Sequence, residues 1–375
     1  MTVLDRLHPP RRRPRSVAVV GTVALTLALT LGVTSGVSAA DPVTVATIDV
    51  GGSPYAVAIT PDGNRAYVTN YESNSVSVID TTANPPAVVG APIDVGTNPG
   101  GIAIAPDGRR AYVANNGDNS VSVLDTTANP PVAVGAPITV GSGPIGIAIS
   151  PDGGRVYVTN STSNSVSVID TTANPPVVVG APITVGSGPS AIAIAPDGGR
   201  VYVTNSNVGS VSVIDTSATP PAAVGAPITV GSGPSGIAIA PDGGRAYVTS
   251  QTEAAVSVID LSATPPAVIG APVDVGAIAI GVTFAPDGNR LYVTGFDAGS
   301  ISVFDTTVTP PVAVGAPIGV GALPTGIAIT SDGNRAYVTN LGDGTVTVIS
   351  FAAATPPSGG SSGSSTGSIG SIFGS

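Results

Sequence analysis

Short apolar runs rich in Val, Ile and Tyr alternate with clusters of Gly, Pro, Asn and Asp, and the whole arrangement returns every 45 residues. In its fifth copy the pattern predicts four strands: 236–240 (GIAIA), 245–249 (RAYVT), Ala255–Asp260 (AVSVID) and 268–275 (VIGAPVDV). β-branched and aromatic residues bounded by turn formers read as strands, and no 3.6-residue periodicity competes. The first two strands are joined by Pro-Asp-Gly, in which Pro presets φ at a type I turn and Gly takes the left-handed position that a hairpin needs. That turn begins at Pro61, Pro106, Pro151, Pro196, Pro241, Pro286 and, altered to Ser, at Ser331. Repeats of 40 to 45 residues without helical patterning are the mark of propeller blades.

The ends of the array predict a closed ring. Residues 44–50 (TVATIDV) match the fourth strand of a repeat, and the array stops after 345–350 (TVTVIS), which match the third. The first strand is therefore expected to complete the last blade, leaving no sheet edge unpaired. The fold class that follows is all-β: a seven-bladed β-propeller of four antiparallel strands per blade, closed by its N-terminal strand and expected to be monomeric.

The segments 66–70 (AYVTN), 156–160 (VYVTN), 201–205 (VYVTN) and 336–340 (AYVTN) each follow a Pro-Asp-Gly or Ser-Asp-Gly turn and precede a strand of the Ser-Val-Ser-Val-Ile-Asp type. This arrangement resembles the YVTN-type β-propeller repeat family over about residues 44 to 350. Blades two, five and six depart from the motif at Ala114, Ser250 and Gly295, where they read VAN, VTS and VTG. The resemblance implies a protein of bacterial or archaeal surfaces, with a fold similar to haem d1, quinoprotein and lactonase propellers. It implies no shared activity.

The flanks read differently. Residues 1–40 have the parts of a secretory signal: five arginines in the first 16 positions, an apolar run over 17–33 and the small residues Val37-Ser38-Ala39-Ala40. Export to the exterior or the cell surface is expected, with no membrane span after cleavage; retention of the segment as an anchor is the alternative. Residues 41–351 form the propeller, and 352–375 a Gly/Ser-rich flexible tail. A chain beginning at Asp41 keeps eight arginines against 22 acids, 8 minus 22 or a net charge of −14. Such a surface repels nucleic acid and attracts cations or basic partners.

Absent residue types narrow the chemistry further. There is no Cys, no Lys, and the only His is His8, inside the signal. His-based triads, thiol nucleophiles, Schiff bases and His-ligated zinc or haem are thereby removed. Aspartates and arginines that recur in every blade are expected to bond turns and to pair in charge, since seven symmetric copies cannot converge on one substrate. Function is expected where repeats differ, in the loops joining second to third strands. There Glu72, Asp118, Glu253, Asp297 and Asp343 suggest an acidic arc for a cation such as Ca²⁺, with solubility as the bland alternative. Tyr55, Tyr71 and Phe296 are candidate protein or glycan contacts, with loop packing as theirs.

These observations predict a non-enzymatic extracytoplasmic binding scaffold, with no cofactor, no catalytic residue and a cell-envelope protein or glycan as partner. A metal-assisted hydrolase on the acidic face, or a surface-layer spacer, are the competing expectations.

Overall fold

The computed structural model describes residues 42–351; the signal-like segment and the Gly/Ser tail lie outside the described residues. The described chain forms seven antiparallel sheets arranged as the blades of a propeller. Blade one consists of Pro54–Ile59, Arg65–Asn70, Ser75–Asp80 and the short pair Ala87–Val88 and Ile93–Asp94. First strands of adjacent blades contact one another around the whole ring, so they line the central channel.

The fourth strand differs from the continuous one expected. In blades one, two, three, four and six it is broken into two pieces of two residues, both paired to the third strand. The Gly-Ala-Pro between them weakens the ladder there, since Gly90 sits at φ 71° and Pro92 has no N–H to give, but it does not suffice to break it, because blade five carries the same Gly270-Ala271-Pro272. Blade five keeps one strand, Ala267–Asp274, though with a register shift opposite Val256 to Val258.

Each blade turns at Pro-Asp-Gly as expected. In blade one the Gly63 amide donates to the Thr60 carbonyl at 2.8 Å, with Gly63 at φ 73°. Asp62 Oδ1 accepts the Asn64 amide at 3.0 Å. The charge partner of Arg65 is a different aspartate: Arg65 stands opposite Asp80 in the strand register. Asp80 in turn accepts the hydroxyl and amide of Thr82, at 2.6 and 2.8 Å. These bonds, with a smaller contribution from the Arg65 charge, hold Asp80 below the usual carboxylate range. The arrangement recurs at Asp125, Asp170, Asp215, Asp260 and Asp305.

The hydrophobic core is not inside any blade. It consists of seven clusters, one at each junction between neighbours. Tyr67 of blade one, for example, packs with Val76 and Val78 against Ala111, Val113 and Leu124 of blade two. Burying one such ring removes roughly 200 Å² from water, an upper contribution of about 5 kcal/mol. The same tyrosine position is buried in all seven blades.

The threonine two residues further on ties the junctions together near the channel. Thr69 Oγ1 accepts the Ala56 amide of its own blade at 3.0 Å and donates to the Gly100 carbonyl of blade two at 2.7 Å. Equivalent donations run from Thr159 to Ser190 and from Thr249 to Ile280, at 2.7 and 2.8 Å. Thr339 closes the belt by donating to Tyr55 at 3.1 Å. Blade two has Ala114 in this position, so its junction with blade three lacks the bridging hydroxyl.

Closure is as expected. Val43–Asp49 pairs antiparallel with Thr345–Ser350, from Val43 opposite Ser350 to Asp49 opposite Thr345. Ile48 and Val50 enter the cluster between blades seven and one, and Arg335 Nη1 donates to the Thr81 carbonyl across the same junction at 2.9 Å.

Two outcomes follow for stability. Thr159→Val leaves a buried amide and carbonyl without their bridge and should cost about 1–3 kcal/mol in guanidinium unfolding, whereas Ala114→Thr should add about 0.5–1.5 kcal/mol; equal midpoints for all three chains would contradict the belt. The aspartates give a pH dependence. Their folded pKa values lie below the unfolded value of about 3.9, so the stability they contribute is complete above that value and lost as pH falls through the folded ones. The thermal midpoint should stay level from about pH 7 to 5 and drop below about pH 4; a flat profile to about pH 2 would refute this reading.

Candidate functional site

Loops that join second to third strands and those that bring the chain into each first strand share one face, because both sit at the same end of the antiparallel ladders. They are stitched to each other by one repeated backbone bond. The Tyr71 amide donates to the Ser53 carbonyl at 3.0 Å, Phe296 to Ile278 at 2.8 Å and Leu341 to Leu323 at 3.1 Å, with counterparts in the other four blades. Side chains facing each other across this bond are therefore neighbours on every blade.

The loop acids brace the same pair of loops. Asp118 Oδ2 accepts the Thr97 amide at 2.6 Å, and Asp343 Oδ2 accepts that of Ala322 at 2.6 Å. Glu253 and Asp297 accept the amides of Ser232 and Ile278, both at 2.8 Å. In blade one the brace is Ser73 rather than Glu72, and in blade three it is Ser163. The Thr97 amide holds Asp118 below the usual carboxylate range. All five predicted carboxylates thus reach one face, each on its own blade, and four share a positional job that serine performs elsewhere. Among the described residues no three carboxylates come together closely enough to hold a metal ion.

Positive charge is confined to one face, although carboxylates occur on both. All eight described arginines stand at or beside the start of second strands, on the hairpin face. The loop face carries Asp49, Asp94 and Asp274 at the ends of fourth strands in addition to the five loop acids, and no arginine.

The seven-fold symmetry breaks at the channel mouth. The second residue of the first strand is Tyr55, Gly100, Ile145, Ser190, Ser235, Ile280 and Thr325 in blades one to seven. All of these except Gly100 line a cavity of about 220 Å³. Tyr55 lies 6.0 Å from Tyr71, ring centroid to centroid, with the planes inclined by 40°. Burial in the mouth, helped by the neighbouring Tyr71, pushes the Tyr55 hydroxyl up to about 12, so it stays a hydrogen-bond donor at any physiological pH.

Blades six, seven and one carry most of the large apolar side chains of this face, Val208 of the blade-four loop being the exception. Phe296, singled out in the sequence, lies beside Ile278, and Leu341 beside Leu323. The latter three were not picked out from sequence. Their signal was available in the repeat: Leu323 fills the position that is Gly143, Gly188 and Gly233 in blades three to five. Its backbone is at φ 53°, a left-handed conformation that L residues with side chains avoid. A wider cleft of about 930 Å³ lies on the hairpin face between blades six and seven. Its polar lining, such as Asp287 and Arg290, recurs in most blades and explains no asymmetric function.

Comparison with known proteins adds a likeness to this geometry. The family described as lactonase, 7-bladed β-propeller, matches residues 36–175, the incoming strand and nearly three blades. Among solved structures the chain is similar to Kuenenia stuttgartiensis hydrazine synthase, with TM-score 0.71 and 25% identity over 80% of this chain and 95% of that one. It is also similar to a functionally unknown protein from Desulfotomaculum acetoxidans DSM 771, with TM-score 0.62 and 20% identity over 72% and 90% of the two chains. No curated protein matches. The chain is thus a seven-bladed β-propeller with a lactonase-like propeller segment.

Two substitutions test the loop assignments. Asp118→Ala should lower the thermal midpoint by about 1–3 °C while Asp118→Ser retains it; equal losses would show that the brace is not the carboxylate's role. Ala254 is at φ 50° where other blades have Asn or Gly, so Ala254→Gly should raise stability by about 0.5–1 kcal/mol in denaturant titration.

Proposed function

We propose that the chain is an exported, non-enzymatic binding scaffold of the YVTN-repeat type that takes a protein, glycan or cation ligand on its loop face. The observation carrying this reading is where the repeats differ. Strands, hairpins and junctions are near copies of one another, whereas the channel-mouth position takes five different identities among the seven blades. An asymmetric ligand requires such a break in symmetry, and a ring maintained only as a spacer does not. Tyr55 and Tyr71 supply rigid amphipathic surface at the mouth, the kind of side chain that dominates binding contacts.

The lactonase match over 36–175 favours a second reading, a metal-assisted hydrolase on the acidic face. It would have to work with carboxylates that stand singly on their blades and already brace loop amides. The full chain should show no turnover on a panel of lactones and esters, with or without Ca²⁺ or Mn²⁺. Hydrolysis abolished by Asp118→Asn or Asp297→Asn would replace the scaffold reading with the enzymatic one. Retention of cell-envelope components on the immobilised chain should fall by about tenfold on Tyr55→Ala with Tyr71→Ala; retention unchanged by both would move the site elsewhere.

A further inference from the structure

The loop face carries an apolar crescent on three consecutive blades, and outside it only Val208 of the blade-four loop is a large apolar side chain exposed on this face among the described residues. Tyr55 and Tyr71 of blade one, Ile278 and Phe296 of blade six, and Leu323 and Leu341 of blade seven are all half-buried and keep part of their surface toward solvent. In blades two to five the two loop positions joined by the backbone bond hold only Asn, Ser, Gly and Gln, and the counterpart of Tyr55 is apolar only at the buried Ile145 of blade three. Leu323 holds its place in a left-handed backbone position filled by glycine in three other blades, and its side chain lies against Gly342. A leucine is poorly suited to that conformation, and nothing in the ring calls for one there. Tyr55 also lines the channel-mouth cavity, as does Ile280 directly behind the Ile278 loop.

Two magnitudes decide what such a surface accepts. The cavity of about 220 Å³ is below the roughly 300–1,000 Å³ of pockets that enclose a small-molecule ligand. It has room for one large side chain of a larger partner. Around it the face carries eight carboxylates and no arginine, and a charge within a Debye length of about 8 Å feels that field at physiological salt. Apolar anchors ringed by one sign of charge select a partner of the opposite sign.

Building on the binding-scaffold reading, we infer that the crescent docks a basic polypeptide segment: one large apolar side chain enters the channel mouth while adjacent lysines or arginines face the rim carboxylates of blades six, seven and one. The acids contribute steering and the crescent contributes the contact. Neutral blades three and four lie across the ring from it and leave the segment's remaining path open.

Selection of a random peptide library on the immobilised full chain tests this. Enriched peptides should place an aromatic or large aliphatic residue beside Lys or Arg, and their binding should weaken by at least about tenfold on Phe296→Ala and on Leu323→Asn. Binding should also weaken as salt rises. Leu323→Asn installs the residue type that blade two carries at Asn98 with the same backbone conformation; cooperative thermal unfolding with a midpoint close to or above that of the unsubstituted chain confirms that each variant folds. No enrichment, enrichment of acidic or uncharged sequences, or binding indifferent to both variants overturns the inference. A glycan array probed with the same chain separates the two levels. Glycan binding lost on Tyr55→Ala, with no peptide selected, removes the basic segment and leaves the scaffold; no binding on either platform removes both.

Discussion

A blade of four strands has two apolar faces and no means of covering either, so every other feature of this molecule depends on the contact between adjacent blades. A buried tyrosine stands in each of those contacts, placed on its own second strand and packed against the next blade. Dispersion and burial alone would allow neighbouring blades to slide, because flat apolar faces are indifferent to small displacements. The threonine hydroxyls fix the offset: each accepts one amide and donates to one carbonyl across the junction, at defined heights along the channel. A non-directional force thus drives assembly, and a directional one sets the geometry.

The same economy explains how much could be read from the chain. Strand count, hairpins and closure were legible because each blade repeats one solution to one packing problem, and the match of 44–50 to a fourth strand had a single structural meaning. The fourth strand read at 268–275 in blade five is there, as Ala267–Asp274, but its continuity does not extend to blades one to four and six. Its apolar residues suggested continuity, but Pro92 and its counterparts cannot donate to a ladder and so weaken it, as does the turn at Gly90. Charge pairing was expected for the hairpin Arg and Asp; the register instead places Arg65 opposite Asp80, information carried by strand pairing rather than proximity in sequence. The candidate site was legible only in part. Tyr55, Tyr71 and Phe296 stand out as aromatics in any reading, but Leu323 and Leu341 become partners only when a backbone bond joins two loops that are separated by an entire hairpin.

Regularity also limits what the protein can do. Seven equivalent positions around an axis present a ligand with seven equivalent choices, so a specific partner requires that some blades be made unlike the others. Here the departures cluster on one face, and they take the form of larger apolar side chains rather than convergent acids. The carboxylates on that face are largely committed to holding loops together, which leaves them a long-range electrostatic role alongside that structural one. Division of labour between a conserved frame and an individual rim is what allows near-identical blades to coexist with recognition.

Closure by the first strand has a consequence for the order in which the molecule is made. Residues 43–49 leave the ribosome before any blade and yet find their partners in 345–350, the last strand of the ring. Until then the first strand has no sheet to join, and the junction between blades seven and one stays open to water on both sides. Six blades can stack as they emerge, but the ring becomes a closed object in a single late event that joins the first-made and last-made strands of the ring. A chain halted one blade early would have both apolar ends exposed, so completeness of synthesis is itself checked by whether the circle closes.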